Sequence, residues 1–246
     1  MRPFLMQTKM ETIRTFRNPY YVFWSLFMPI VFYFVFTKVF NPDTANQSLY
    51  EAHFLMSMTS FSVMGSAIMT LGIRLVEERK HGWTLFLRVT PLSSQAYFLA
   101  KMISQSVIHV FSILLIFIIG GVVNSVSLSI SEWLLAGMWI LIGSLPFLAL
   151  GTLVGTMKKV DTASGVSNLI YLSLAITGGM WMPLDIMPKF IQNVALWLPS
   201  YNYGDGAWQI IRGSSPDIMN VIILLGYFLL FMLISGYIRS KQEAVV

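Results

Sequence analysis

The side chains best suited to chemistry gather in one stretch, RLVEERKHGWTLFLRVTPLSS, running from Arg74 to Ser94. Glu77, Glu78, Arg79, Lys80 and His81 follow one another there, and Gly82 and Pro91 bracket Trp83, Leu85 and Phe86. Adjacent acids and bases could move a proton or pair with charges on a partner. Catalysis would also need a nucleophile, a metal set or a phosphate cradle held close by. The chain has no phosphate-binding P-loop, no H-E-x-x-H pair and no G-x-S-x-G elbow. It has no Cys, and His53, His81 and His109 lie far apart. No catalytic, cofactor-binding or metal-binding residue is therefore expected, and the chain is not expected to be an enzyme.

Recognition is what remains for the polar stretch. A short helix entered through Gly82 and ended by Pro91 makes a rigid knob, and Trp83, Leu85 and Phe86 give it apolar anchors. A solvated basic loop is the plainer alternative.

Two more sets of side chains share helical faces. Gln105, His109 and Ser112 fall at i, i+4 and i+7. Such a strip can line a translocation path, but hydrogen bonding between helices, worth about 1 kcal/mol, is the preferred reading. Met58, Ser62, Gly65, Met69 and Gly72 share a second face. It reads as an adaptable wall for varied substrates or, preferably, as a close helix contact. Gly151 and Gly155 repeat a small-residue spacing typical of packed helices.

The elements that must position these residues follow from composition. Of 246 residues, 56% are hydrophobic and 11% charged. A soluble domain needs about a quarter charged residues to cover its surface, so part of this chain's solvent is lipid. Six apolar runs approach the roughly 20 residues that cross a bilayer as a helix: Tyr20–Val39, Phe54–Val76, Ile103–Val123, Trp133–Val154, Ser164–Trp181 and Ile218–Ile238. None carries Asp or Glu within its apolar stretch. Proton- or ion-coupled carriers place such groups near the midplane, so a self-powered carrier is not expected. The ten-residue alternation of a membrane β-barrel is missing. The expectation is an all-α integral membrane protein.

Lys and Arg set its orientation. With the N-terminus inside, thirteen of the 16 basic residues fall on the cytoplasmic side. Lys38, Lys189 and Arg212 fall outside. That asymmetry puts both termini in the cytoplasm. The net charge of +5 is spread between apolar spans, which suits anionic headgroups better than nucleic acid.

Two segments beside the spans are amphipathic. In residues 1–19, Leu5, Met6, Met10, Ile13 and Phe16 share one side of a helix, opposite Gln7, Thr8, Glu11, Thr12 and Thr15. This predicts a helix lying in the inner leaflet's surface. Residues 182–217 are broken by Pro183, Pro188, Pro199 and Gly204, yet hold Phe190, Ile191, Val194, Ala195 and Leu198 at helical spacing. Trp197, Tyr201, Tyr203 and Trp208 are interfacial residue types. The segment is expected to form a short helix or helical hairpin dipping into the outer leaflet, packed on protein. No internal repeat is visible, so residues 1–246 make one membrane domain.

LVEERKHGWTLFLRVTPLS resembles the loop after the second span in membrane subunits of type-2 ABC exporters. That loop starts Glu-rich, contains a Gly and closes on Thr-Pro-Leu-Ser. An N-terminal interfacial helix, six spans and a Gly-rich, Pro-containing segment before the last span agree with the same family. The resemblance implies a bacterial plasma-membrane permease that pairs with a second permease and binds separate ATPase subunits, which carry ATP and Mg. It implies that residues 77–94 form a cytoplasmic coupling helix seated on the ATPase, with Glu77, Glu78, Arg79, Gly82, Trp83, Phe86 and Pro91 transmitting motion. The family commonly has an acid and a base where this chain has Leu85 and Phe86, so its docking is expected to be less ionic. The apolar, Met-rich spans lean toward an amphipathic or hydrophobic substrate: a drug, an antibiotic or a lipid. A structural or signalling membrane protein is the rival, distinguished by having no ATPase partner.

Overall fold

In lipid the backbone must satisfy its own hydrogen bonds, and long apolar runs do so by becoming helices. The computed structural model describes residues 2–39, 46–83, 86 and 89–244. Among these no strand occurs. Helix α1 is Arg2–Phe16 and α2 is Pro19–Phe34, continued by a π-helical turn over Val35–Val39. The longest helix, α3, covers Gln47–Lys80 and contains a second π turn, Ser66–Thr70. Then come α4 (Ser94–Asn124), α5 (Ile130–Gly143), α6 (Leu145–Val154) and α7 (Val160–Thr177). Two short helices, α8 (Lys189–Ala195) and α9 (Pro199–Ile211), precede α10 (Ile218–Ala244).

Four helical stretches are long and apolar enough to cross a membrane: Gln47–Lys80, Ser94–Asn124, Ile130–Val154 and Ile218–Gln242. The described apolar part of the first expected span is shorter, Leu26–Val39. The fifth expected span is helical from Val160 and ends at Thr177 rather than Trp181. Gly178 and Gly179 stop it, Gly179 at a φ of +76° that L side chains avoid. The fourth is broken at Ser144, two residues before Pro146, which lacks the N–H a continuous helix would use.

The core is built around α3, which is buried along most of its length. Helices α2, α4, α6, α7 and α9 pack around it. Small residues let two of these approach closely. At Gly151 in α6, an added Cβ would run into the carbonyl oxygen of Ala67 in α3. At Gly155 it would meet Leu75. The Gly151/Gly155 pair is thus a contact between α6 and α3. Outside the core, α10 turns Ile222, Leu225, Leu229 and Leu233 outward, the surface a lipid-facing helix presents.

Helix α1 lies as its pattern suggests on one side only. Leu5, Met6, Met10, Ile13 and Phe16 are exposed. The opposite side is turned partly inward: Glu11 and Thr15 are buried and Gln7, Thr8 and Thr12 half-buried, because α1 packs along α4. In the segment 182–217, α9 is the buried piece. Its Tyr203 hydroxyl donates to the Ile140 carbonyl over 2.8 Å, and its Trp208 indole donates to Ser57 Oγ over 3.0 Å.

Candidate functional site

The polar stretch begins on the last turn of α3, and its charged residues divide between two surroundings. Glu78 turns inward and is 6% exposed. Its carboxylate accepts from Arg14 of α1 at 2.6 Å, and from the Tyr97 hydroxyl and Lys101 ammonium of α4. Lys101 is itself buried and lies 2.8 Å from Glu11 Oε2. Two carboxylates and two cations therefore neutralise one another where α1, α3 and α4 meet. Burial of Arg14 opposes its charge, but the Glu78 carboxylate outweighs this and raises its pKa above the ordinary value. Glu11, Glu78 and Lys101 stay charged though buried because each has a partner, with the half-exposed Arg14 closing the cluster.

Arg79 makes the second tie. Its guanidinium donates to the carbonyls of Gly155 and Thr156, the latter at 3.0 Å, and to Gln242 Oε1 at 3.1 Å. A cation is favoured at those carbonyls because α6 ends there. Gln242 of α10 donates to Thr156 O over 2.9 Å. The end of α3 is thus fastened to α1 and α4 on one flank and to α6 and α10 on the other.

Beyond these ties the chain turns outward. His81 caps α3, and Gly82 takes a φ of +73°, with open space around it. Glycine is needed there for its backbone rather than for room. Trp83 and Phe86 follow in helical conformation, their ring centroids 6.3 Å apart. Trp83 is 41% exposed, Phe86 68% and Val89 85%. Pro91 is exposed, and Ser93 caps α4 by accepting from the Ala96 N–H. Glu77 and Lys80 face water. Leu85 and Arg88 lie outside the described residues.

A cavity of about 1080 Å³ opens between α2, α3 and α7, reached at one end by α1. Met28, Pro29, Phe32, Phe61, Tyr171 and Trp181 form its apolar wall, and Arg14, Asn18, Arg74 and Glu77 its polar end. Of the residues singled out in the second span, Ser62, Gly65 and Met69 line it. Met58 is fully buried in the core, and Gly72 packs on Val154. Gln105, His109 and Ser112 are buried away from the cavity. Gln105 donates to Ser66 Oγ at 2.5 Å, and His109 Nδ1 lies 3.2 Å from Ser144 Oγ. These are contacts between helices.

Glu11, Arg14, Tyr97 and Lys101 were not singled out by spacing. The signal they carry is slight: Tyr97 and Lys101 stand four apart, and so share a face. Their partner Glu78 is 23 positions from Lys101 and 64 from Arg14, beyond the reach of any local pattern.

Fold and site together define a multi-pass helical membrane protein with an apolar, aromatic projection and a wide cavity between its helices. A family model described as ABC-2 family transporter protein matches residues 37–237. The chain is 57% identical over 239 residues to YvfS of Bacillus subtilis (strain 168), whose name gives it, provisionally, as a transport permease. That match covers 97% of this chain and 98% of the relative. It is also 26% identical over 199 residues to the linearmycin resistance permease protein LnrN of the same organism. That match covers 75% of this chain but 46% of LnrN. The chain belongs to the ABC-2 transporter family, as a permease.

Proposed function

We propose that this permease is the membrane subunit of an ATP-driven exporter and leaves ATP hydrolysis, with its Mg, to a separate ATP-binding subunit. It spans the bacterial plasma membrane six times, through α2, α3, α4, α5–α6, α7 and α10, with both termini in the cytoplasm. A second permease completes the path. The substrate is amphipathic or hydrophobic: a drug, an antibiotic or a lipid-like molecule. Residues 77–94 form the coupling loop, with Trp83 and Phe86 as the anchors that enter the ATP-binding subunit. Glu78 and Arg79 do not touch that subunit. They fasten the loop to four other helices, so that a push on the knob moves α1, α4, α6 and α10 together.

The observation that carries the reading is the exposure of Trp83, Phe86 and Val89 at the end of a helix tied down on both flanks. Large apolar side chains on a water-facing loop cost free energy unless a partner covers them, and aromatic anchors are what such interfaces use. A structural or signalling role would leave the knob uncovered. The test is uptake into inside-out membrane vesicles holding the permease and its ATP-binding subunit. ATP added outside is expected to drive accumulation of a fluorescent amphipathic dye. Accumulation equal in vesicles lacking the permease would remove the exporter reading.

A further inference from the structure

The cavity between α2, α3 and α7 has a chemical polarity that points to a particular class of ligand. From Phe61 to Glu77 it follows α3 for about 24 Å, taking 1.5 Å per residue. Along it Ser62, Ser66 and Thr70 are interspersed with Phe61, Met69 and Ile73, and the charged residues, Arg74 and then Glu77, stand at one end. Arg14, at the same end, is held by Glu78. Arg74 differs. It donates to Thr15 Oγ1 at 2.5 Å, and among the described residues it joins no ion pair. A guanidinium has five donors, and the bond to Thr15 uses one of them, on a residue that lines the cavity. Glu77 lies one turn further along α3, is exposed and forms no ion pair with Arg74.

We infer that this cavity binds an amphipath carrying one acidic group, carboxylate or phosphate, which Arg74 receives while the apolar body lies against Phe32, Phe61 and Trp181. The inference rests on the exporter reading, takes this cavity as part of its substrate path, and names the class of substrate that path takes. Arginine suits the role because its planar fork matches both oxyanions. The volume of about 1080 Å³ lies just above the usual range for small-molecule sites, roughly 300–1,000 Å³, and has room for a long-chain ligand.

The test uses the full chain in phosphatidylcholine nanodiscs and a long-chain fatty acid bearing a photoreactive diazirine, with the matching alcohol as neutral probe. Labelled peptides are mapped after illumination. The acid is expected to label the α2, α3 and α7 segments about tenfold more than the alcohol, the discrimination a charge-assisted hydrogen bond provides. Arg74→Gln should abolish that preference and Arg74→Lys should keep part of it. Asn168→Trp, which fills the exposed lip of the cavity and leaves Arg74 in place, should block labelling by both probes. Competition by phosphatidylglycerol would identify a bilayer lipid as the ligand; failure to compete would identify a free amphipath, and the proposal holds in either case. Equal labelling by acid and alcohol, or a preference that survives Arg74→Gln, overturns it. The measurement uses neither ATP nor an ATP-binding subunit, so it fails or succeeds apart from vesicle transport.

Discussion

Lys101 is the residue on which the packing of three helices depends. It is buried against two carboxylates, Glu78 and Glu11, and Arg14 alone cannot neutralise both. Removing one partner of a buried ionic cluster costs roughly 3–5 kcal/mol, because a charge is left unpaired. Lys101→Met is therefore expected to lower thermal stability in detergent sharply. Adding Glu78→Gln should recover part of the loss, which melting followed by size-exclusion chromatography would measure. His109 presents the opposite case. It is buried and bonded to Ser144, but touches no charge. His109→Gln keeps one polar contact and should change stability by no more than about 1 kcal/mol, with dye accumulation in vesicles near that of the parent. A severe loss of transport in a well-folded variant would place His109 on the path.

Helices were the more legible level. Apolar runs of membrane length marked α3, α4, the α5–α6 pair and α10, because hydropathy alone decides what enters lipid. Boundaries moved where backbone chemistry intervened: Gly178 and Gly179 end α7 early, and α3 continues through Glu77–Lys80 as a capped, charged last turn. The π turn at Ser66–Thr70 was not legible, since nothing local demands it. Nor was the inward turn of Glu78. A glutamate in a charged run reads as solvated until helices distant in sequence bring it three donors. The Gly151/Gly155 spacing did announce a contact, and its severity is testable. Gly151→Ala sets a methyl group against the Ala67 carbonyl. Overpacking of this kind costs typically 1–3 kcal/mol, so the variant should melt lower than the parent while Gly165→Ala, in open space, should not.

On the scale of the whole molecule, α3 sets the polarity. With 34 residues it is about 50 Å long, and its two ends gather different loops. Near its start, Ser48 Oγ lies 3.2 Å from Ser127 Oγ; at its end, Arg79 holds the carbonyls that precede Lys158 and Lys159. The chain has no native Cys, so single cysteines report cleanly. Asn46→Cys and Ser127→Cys are expected to react with an impermeant thiol reagent in intact cells. Lys159→Cys should react only after permeabilisation; labelling it from outside would overturn the six-span orientation.

The most direct test of the account concerns the knob itself. Trp83→Ala/Phe86→Ala removes the exposed rings and leaves the buried ties of Glu78 and Arg79 untouched. Truncating anchors at the centre of an interface costs about 2 kcal/mol or more, roughly a thirtyfold loss of affinity. The measurement is the amount of ATP-binding subunit that co-purifies with permease, normalised to permease in the membrane. The double variant is expected to insert and fold as the parent does, yet to lose its ATP-binding subunit on purification. A double variant that keeps the subunit at the parent's ratio and still transports would contradict the account, and the docking surface would have to lie elsewhere.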